Sequence, residues 1–323
     1  MTLRIPSGTR DVLPEEMRAL RRITGALLET FDGFGYGEIS TPAVEFEETL
    51  RAADLGLKPS YRVVDDHGAL LALRADMTVP IARVVATRYA DAETPLRFCY
   101  AAHAYRAVRP HRGQMREFLQ SGVELVGAPG AAGTAEVLTV LCRALEATGL
   151  REFSVGVGDA TLYPTLLAAF DVPAAAREEL LHELAMRDLV ALDRVVASLG
   201  VSAEAATTLS RVPRLRGNAG VLDEAPGPVR AALDGLRTVI DLLDADVAAR
   251  GIIDLGRYPR LRYYTGTMFE VYDPEFGEPL GGGGRYDELI GRFGRPLPAV
   301  GFALGVDRLH AALAGEERGE TSR

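Results

Sequence analysis

The pattern of hydrophobic and polar positions is sharpest over residues 97–127, RFCYAAHAYRAVRPHRGQMREFLQSGVELVG. It alternates there with the period of two that puts successive side chains on opposite sides of a strand. In the first limb Phe98, Tyr100, Ala102, Ala104, Arg106 and Val108 share one face. In the second, Arg116, Phe118, Gln120, Gly122, Glu124 and Val126 share a face, and Leu119, Val123 and Leu125 line the other. The spacing predicts two strands joined by a cationic loop carrying Arg109, His111, Arg112 and Arg116. Gln120 and Glu124 place an amide and a carboxylate on one strand face, with Gly122 between them leaving room. Such a face can offer two acceptors to an ammonium or imidazole group. A solvated hairpin with a charged turn has the same pattern.

The remaining periodicities give the other elements. Pro14, Glu15 and Glu16 open a helix in the usual way, with proline in the first turn and acid at the positive end of the dipole. Its apolar positions run Met17, Leu20, Ile23, Leu27, Leu28 and Phe31, and it ends near Asp32 and Gly33. Pro42 excludes a central strand from the extended segment that follows. Glu45, Glu47 and Glu48 read as the start of a short, exposed acidic helix. Residues 61–64 and 68–74 read as strands around a glycine-closed turn. Beyond them Arg74, Asp76 and Thr78 alternate with Ala75 and Met77 ahead of an amphipathic helix. They are either ligand groups at a strand-to-helix junction or caps of that helix. A helix is expected over 131–148, a strand over 153–158 and a further helix from Asp159. Residues 161–249 are almost entirely helical in pattern and read as an inserted subdomain, with Arg211, Arg214 and Arg216 at a solvated bend. Strand character returns at 251–255. The four glycines of 281–284 permit close approach of a ligand or a neighbouring strand, yet match neither a dinucleotide fingerprint nor a phosphate loop. Residues 301–309 pass from strand into a last helix with Arg308 in its first turns, and the polar tail from Gly315 is expected to fray.

Composition narrows the function. The chain has 323 residues, 47% hydrophobic and 25% charged, as an ordinary folded protein does. A net charge of −9 argues against a broad nucleic-acid surface, so the basic loop is a local feature. The only cysteines, Cys99 and Cys142, have no metal-ligand spacing, and Cys99 reads as a buried free thiol. No apolar leader and no run of 18 apolar residues is present, so the expectation is a cytoplasmic protein without membrane, metal or cofactor.

The arm IPSGTRDVLP, then FGYGEISTPAVE, LLALRADMT, RAVRPHRGQMREFLQSGVELVG, YYTGTMFE, GGGGRYDEL and GFALGVDRL occur in this order. Together they resemble the catalytic domain of histidyl-tRNA synthetase, collinearly over nearly the whole chain. The resemblance implies an α+β fold of class II aminoacyl-tRNA synthetase type: a mainly antiparallel sheet flanked by helices, with a helical insertion. The domain would comprise residues 1–160 and 250–315, split by the insertion at 161–249, with a frayed tail at 316–323 and no anticodon-binding domain. A dimer built partly by the first motif is also implied. Histidine-holding groups fall on Asp76, Thr78, Gln120, Glu124, Tyr263 and Tyr264, with Asp76 in place of a glutamate. Arg106 and Arg308 match the arginines that grip ATP, and Arg112 belongs to the same vestigial anion site.

Departures from the pattern point to a paralogue. Val108 replaces a glutamate of the nucleotide side, and Gln114 an arginine of the loop. Pro259 stands where the synthetases carry a catalytic arginine, and Arg262 where they carry an acid. A lost donor of this kind removes roughly 3 to 4 kcal/mol of transition-state stabilisation. A retained amino-acid pocket beside an eroded ATP side resembles the ATP phosphoribosyltransferase regulatory subunits. That family implies a noncatalytic protein without tRNA, activating a short-form catalytic subunit in a hetero-oligomer at the first step of histidine biosynthesis. L-histidine would be its feedback effector. The alternatives are an amino-acid-activating enzyme of the synthetase type, which intact Arg106 and Arg308 favour, and a binding paralogue with another partner.

Overall fold

The computed structural model describes residues 4–53, 61–107 and 115–321. Val108, Arg109, His111, Arg112 and Gln114 therefore lie outside the described residues. Helix α1 (Pro14–Gly33) starts at the proline and buries Leu20, Ile23, Leu27 and Phe31 along one stripe. Strands β1 (Gly37–Glu38) and β2 (Val44–Phe46) lead to helix α2 (Glu47–Ala52). Strands β3 (Arg62–Val64) and β4 (Leu70–Leu73) flank a turn in which the Asp65 carboxylate accepts from the His67 and Ala69 amides at 3.0 and 2.8 Å. After helix α3 (Thr78–Arg88) come the long strands β5 (Leu96–Tyr105) and β6 (Glu117–Val126), then helix α4 (Gly130–Ala147) and strand β7 (Ser154–Asp159).

Between β7 and the next long-range strand the chain is helical: α5 (Leu162–Ala169), α6 (Ala174–Met186), α7 (Leu189–Ser198), α8 (Ala203–Arg211), the two-residue β8 (Arg216–Gly217), α9 (Arg230–Asp241) and α10 (Ala245–Ala249). Strands β9 (Gly251–Asp254), β10 (Thr267–Tyr272), β11 (Gly281–Arg285) and β12 (Ala299–Gly305) precede the last helix, α11 (Val306–Thr321). Among the described residues no helix is long and apolar enough to cross a membrane.

The strands form a nine-stranded sheet in the order β1-β5-β6-β12-β11-β10-β7-β9-β8 and a three-stranded sheet in the order β2-β4-β3. Pairing is antiparallel except for β1 with β5 and β7 with β9. The two faces of the large sheet do different things. Cys99, Val123, Leu125, Phe302, Phe269 and Val155 form the back face and share one apolar core with α1, α4, α11 and the helices of residues 162–249. Phe98, Tyr100, Val126 and Ala299 belong to the front, where a separate core gathers α3, Tyr263 and Tyr286.

Three local features differ from the sequence expectation. Asp159 ends β7 instead of opening a helix, because its carboxylate accepts from the Thr161 amide at 2.9 Å and from the Thr161 hydroxyl. Glu45 and Glu47 are not exposed acids. Glu45 is buried against Arg83 at 2.7 Å, and Glu47 is buried between Arg51 and Arg62 at 2.8 and 2.7 Å. The bend arginines are solvated, as expected: Arg211, Arg214 and Arg216 are exposed, with surface pairs of Arg214 to Asp193 at 2.6 Å and Arg211 to Glu224 at 3.5 Å. The segment from Gly315 continues α11 to Thr321, and Glu316 accepts the Arg151 and Glu152 amides at 3.2 and 2.9 Å, which ties that end to the loop before β7.

Candidate functional site

The front face of the large sheet is nearly bare of side chains across its middle. Register places Gln120, Gly122 and Glu124 of β6 beside Ala102, Tyr100 and Phe98 of β5 on one side and beside Gly305, Ala303 and Gly301 of β12 on the other. Further across, Gly282 and Gly284 of β11 continue the same face toward Gly156 and Gly158 of β7. Longer neighbours lie over these positions. A Cβ on Gly301 would stand 1.9 Å from Glu124 Oε2, and one on Gly122 2.8 Å from the Tyr100 hydroxyl. The carboxylate of Glu124 thus occupies space that any side chain at Gly301 would fill.

Glu124 is the centre of the arrangement. It is 1% exposed, and its oxygens accept from the Thr78 hydroxyl at 2.7 Å and from the Tyr286 hydroxyl. Burial pushes its carboxyl up to about 8; the two hydroxyls oppose this and the nearby Asp76 charge adds to it. Asp76 is buried as well, and burial raises it, against the Arg106 guanidinium and the start of α3, where its Oδ1 accepts the Val79 amide at 3.3 Å. Asp76 thus caps a helix and faces the pocket at once. Thr78 is the first residue of α3, so the pair comes from a bend and a helix start, not from an extended segment. Arg74, which alternates with them in sequence, turns away to the His103 and Thr41 carbonyls, the first at 2.8 Å and the second at 2.6 Å.

Gln120 is buried on the same strand face, and its Oε1 has no hydrogen-bond partner. A buried acceptor left open costs stability unless a donor arrives, and here it opens beside the Glu124 face. Tyr263 and Tyr264 close the pocket, their ring centroids 4.7 Å apart, and Tyr263 packs edge-on to Tyr286 at 5.6 Å. Burial pushes the phenols of Tyr100, Tyr263, Tyr264 and Tyr286 upward, so all are neutral donors at ordinary pH. The six residues anticipated from the sequence therefore come together. Tyr100 and Tyr286 were missed. Tyr100 was readable from its place on the Gln120 face; Tyr286 follows a glycine run and meets Glu124 only through the tertiary fold. Its place is fixed by Arg285, whose guanidinium donates to the Ala128 and Gly130 carbonyls at 2.8 and 2.9 Å, and by Asp287, which accepts the Ala299 amide at 3.1 Å.

The neighbouring anion side is thinner. Arg106 donates to the Ala75 carbonyl at 3.0 Å and stacks 5.1 Å from the Phe118 ring centroid. Arg308 folds against Gly305 and is engaged by Glu278 at 3.0 Å and by the Pro279 carbonyl. Arg112 lies outside the described residues. At the far end of the face a second missed cluster fills the floor: Arg257 lies over Gly156 and Gly158, donates to Glu270 and Tyr272, and stacks on the Tyr272 ring at 5.5 Å. Asp254 beside it also pairs with Arg187, at the left-handed end of α6, at 2.8 Å. Among the described residues no three His, Cys, Asp or Glu side chains come together as metal ligands do.

Over residues 8–309 the chain matches the histidyl-tRNA synthetase family. An ATP phosphoribosyltransferase regulatory subunit from Moorella thermoacetica is 39% identical over all of this chain and 84% of its own length. The chain belongs to the ATP phosphoribosyltransferase regulatory subunit family. Another member of the family, from Symbiobacterium thermophilum, is 42% identical over 98% of this chain and 80% of its own. The solved structure of an ATP phosphoribosyltransferase regulatory subunit/histidyl-tRNA synthetase from Bacillus halodurans matches with a TM-score of 0.90 at 33% identity, covering 97% of this chain and 84% of that one. The fold is that of the class II synthetase-like members of this family, with the mainly antiparallel sheet and flanking helices described above.

Proposed function

We propose that this chain is a noncatalytic regulatory subunit of ATP phosphoribosyltransferase, activating a short-form catalytic subunit at the first step of histidine biosynthesis and holding L-histidine as its effector. The observation that carries the reading is the buried pair Asp76 and Glu124 with the open Gln120 acceptor on the same strand face as Glu124: among the described residues one acid lacks a cation and one acceptor lacks a donor. An amino acid with an ammonium group and a ring N–H supplies both. Linkage then makes regulation follow: an effector that binds one arrangement of the assembly more tightly shifts the population toward it.

Absence of independent catalysis is supported by Pro259, a neutral ring where the synthetases carry an arginine, and by the engagement of Arg308 with Glu278. Intact Arg106 and Arg308 favour the second reading, an enzyme that activates an amino acid with ATP. Self-association as a dimer is part of the proposal. Reconstitution with a short-form catalytic subunit decides: phosphoribosyl transfer is expected to rise on adding the chain and to fall when histidine follows. Unchanged transfer at saturating chain rejects the regulatory reading. Robust histidine-dependent ATP–pyrophosphate exchange by the chain alone establishes the second one.

A further inference from the structure

Two carboxylates buried in one pocket need either two positive charges or a proton. Asp76 faces Arg106, which is itself anchored on the Ala75 carbonyl and on Phe118. Among the described residues Glu124 faces no cation. The groups around it are Asp76 from the bend before α3, Thr78 from the start of α3, Tyr100 from β5, Tyr263 and Tyr264 from the segment before β10, and Tyr286 after β11. From β12 the position paired with it is Gly301, where a Cβ would stand 1.9 Å from Glu124 Oε2, so no charged side chain reaches it from there. Among the described residues the pocket holds two acids against one guanidinium, and the hydroxyls that reach Glu124 are neutral.

We propose that the pocket exchanges a proton for its ligand: entry of an amino acid carrying a protonated amine displaces the proton held by Glu124, so that occupancy follows pH as well as ligand concentration. The step balances in charge and atoms. A protonated Glu124 and a cationic group become an ionised Glu124 paired with that cation, and the proton passes to the solvent. Burial is the force behind it, since an unpaired carboxylate is disfavoured in the empty pocket and the arriving ammonium removes the penalty. Proton release of this kind makes affinity rise with pH until the empty-pocket carboxyl is itself ionised, at about 8.

This inference rests on the reading of the pocket as an amino-acid effector site, and calorimetry separates the two. The full chain is titrated with L-histidine at pH 7 and pH 8, in phosphate and in Tris, whose ionisation enthalpies differ. The expected result is close to one proton released at pH 7, about half of one at pH 8, and binding about fivefold tighter at the higher pH. In Glu124→Gln, which accepts from one of the Thr78 and Tyr286 hydroxyls, donates its amide N–H to the other and cannot titrate, any remaining release belongs to the histidine itself, and the wild-type excess is expected to vanish. Binding with the same heat in both buffers overturns the proton exchange alone and leaves the effector reading standing. Equal release by wild type and a folded Glu124→Gln overturns it likewise. No heat with histidine at either pH overturns both. The wild-type comparison of buffers decides even if the variant does not fold.

Discussion

Glu124 owes its unusual state to what its strand position denies it. The alternation of β6 sends it to the front face, Gly301 gives it space there, and among the described residues only hydroxyls answer its charge. In the unfolded chain this carboxyl titrates near 4.5, and in the fold at about 8. Between those values the native state keeps a proton that the unfolded state has lost, so stability falls as pH rises through the window, by about 1.4 kcal/mol for each pH unit. Urea denaturation of the ligand-free protein at pH 5 and pH 8 is therefore expected to show wild type losing more stability than Glu124→Gln. Parallel losses reject the assignment. Removing the side chain has the opposite consequence for ligand: Asp76→Ala and Glu124→Ala are each expected to weaken histidine binding several-fold or more, because the ammonium loses its buried partner. Unchanged calorimetric affinity in both variants shows that the pocket takes another ligand. The Gln120–Glu124 pair was legible from strand alternation alone. The Tyr286 contact was not, since it spans 162 residues of sequence and no local period reports it.

At the scale of the element, glycine is used in two ways that the sequence alone does not separate. Gly25 lies in the exposed interior of α1, and a Cβ there meets nothing within 4 Å. Gly25→Ala is expected to stabilise by about 0.5 to 1 kcal/mol through the lower entropy of the unfolded chain. Gly301 lies in β12, where a Cβ would stand 1.9 Å from Glu124 Oε2 and 2.4 Å from the Val123 carbonyl. Gly301→Ala is expected to cost about 1 to 3 kcal/mol and to lower histidine affinity, since Glu124 must leave its place. Melting temperatures of the two variants, moving in opposite directions, check the distinction; a harmless Gly301→Ala shows that the sheet yields there. The hairpin of β5 and β6 and the long helices α1 and α4 were legible because each repeats one period over many residues. The ends were less so. Asp159 and Thr78 changed element because side-chain hydrogen bonds, Thr161 to Asp159 and the Val79 amide to Asp76, decide where a strand stops and a helix starts, and periodicity does not.

For the whole molecule, the order of motifs gave the fold class, but not which surfaces would remain without a partner. Residues 162–249 join the same apolar core as α1 and α4, with α9 packed on α4, a relation between distant helices that composition does not encode. The three-stranded sheet is the reverse case. Its inner face holds Ala72 and the buried Glu45, which is answered by Arg83, so polar groups are spent inside. Its outer face carries Val44, Phe46 and Val63 beside Leu71 and Leu73, and the first three are 39%, 53% and 47% exposed. Contiguous apolar groups on a sheet face are costly in water and mark contact with another surface. The proposed dimer is placed at this sheet, where a two-fold axis would set like against like. Phe46→Asp combined with Val63→Asp is expected to shift the protein from dimer to monomer in sedimentation equilibrium, with its circular dichroism unchanged because neither side chain is in the core. A variant that remains dimeric places the self-association elsewhere on the molecule.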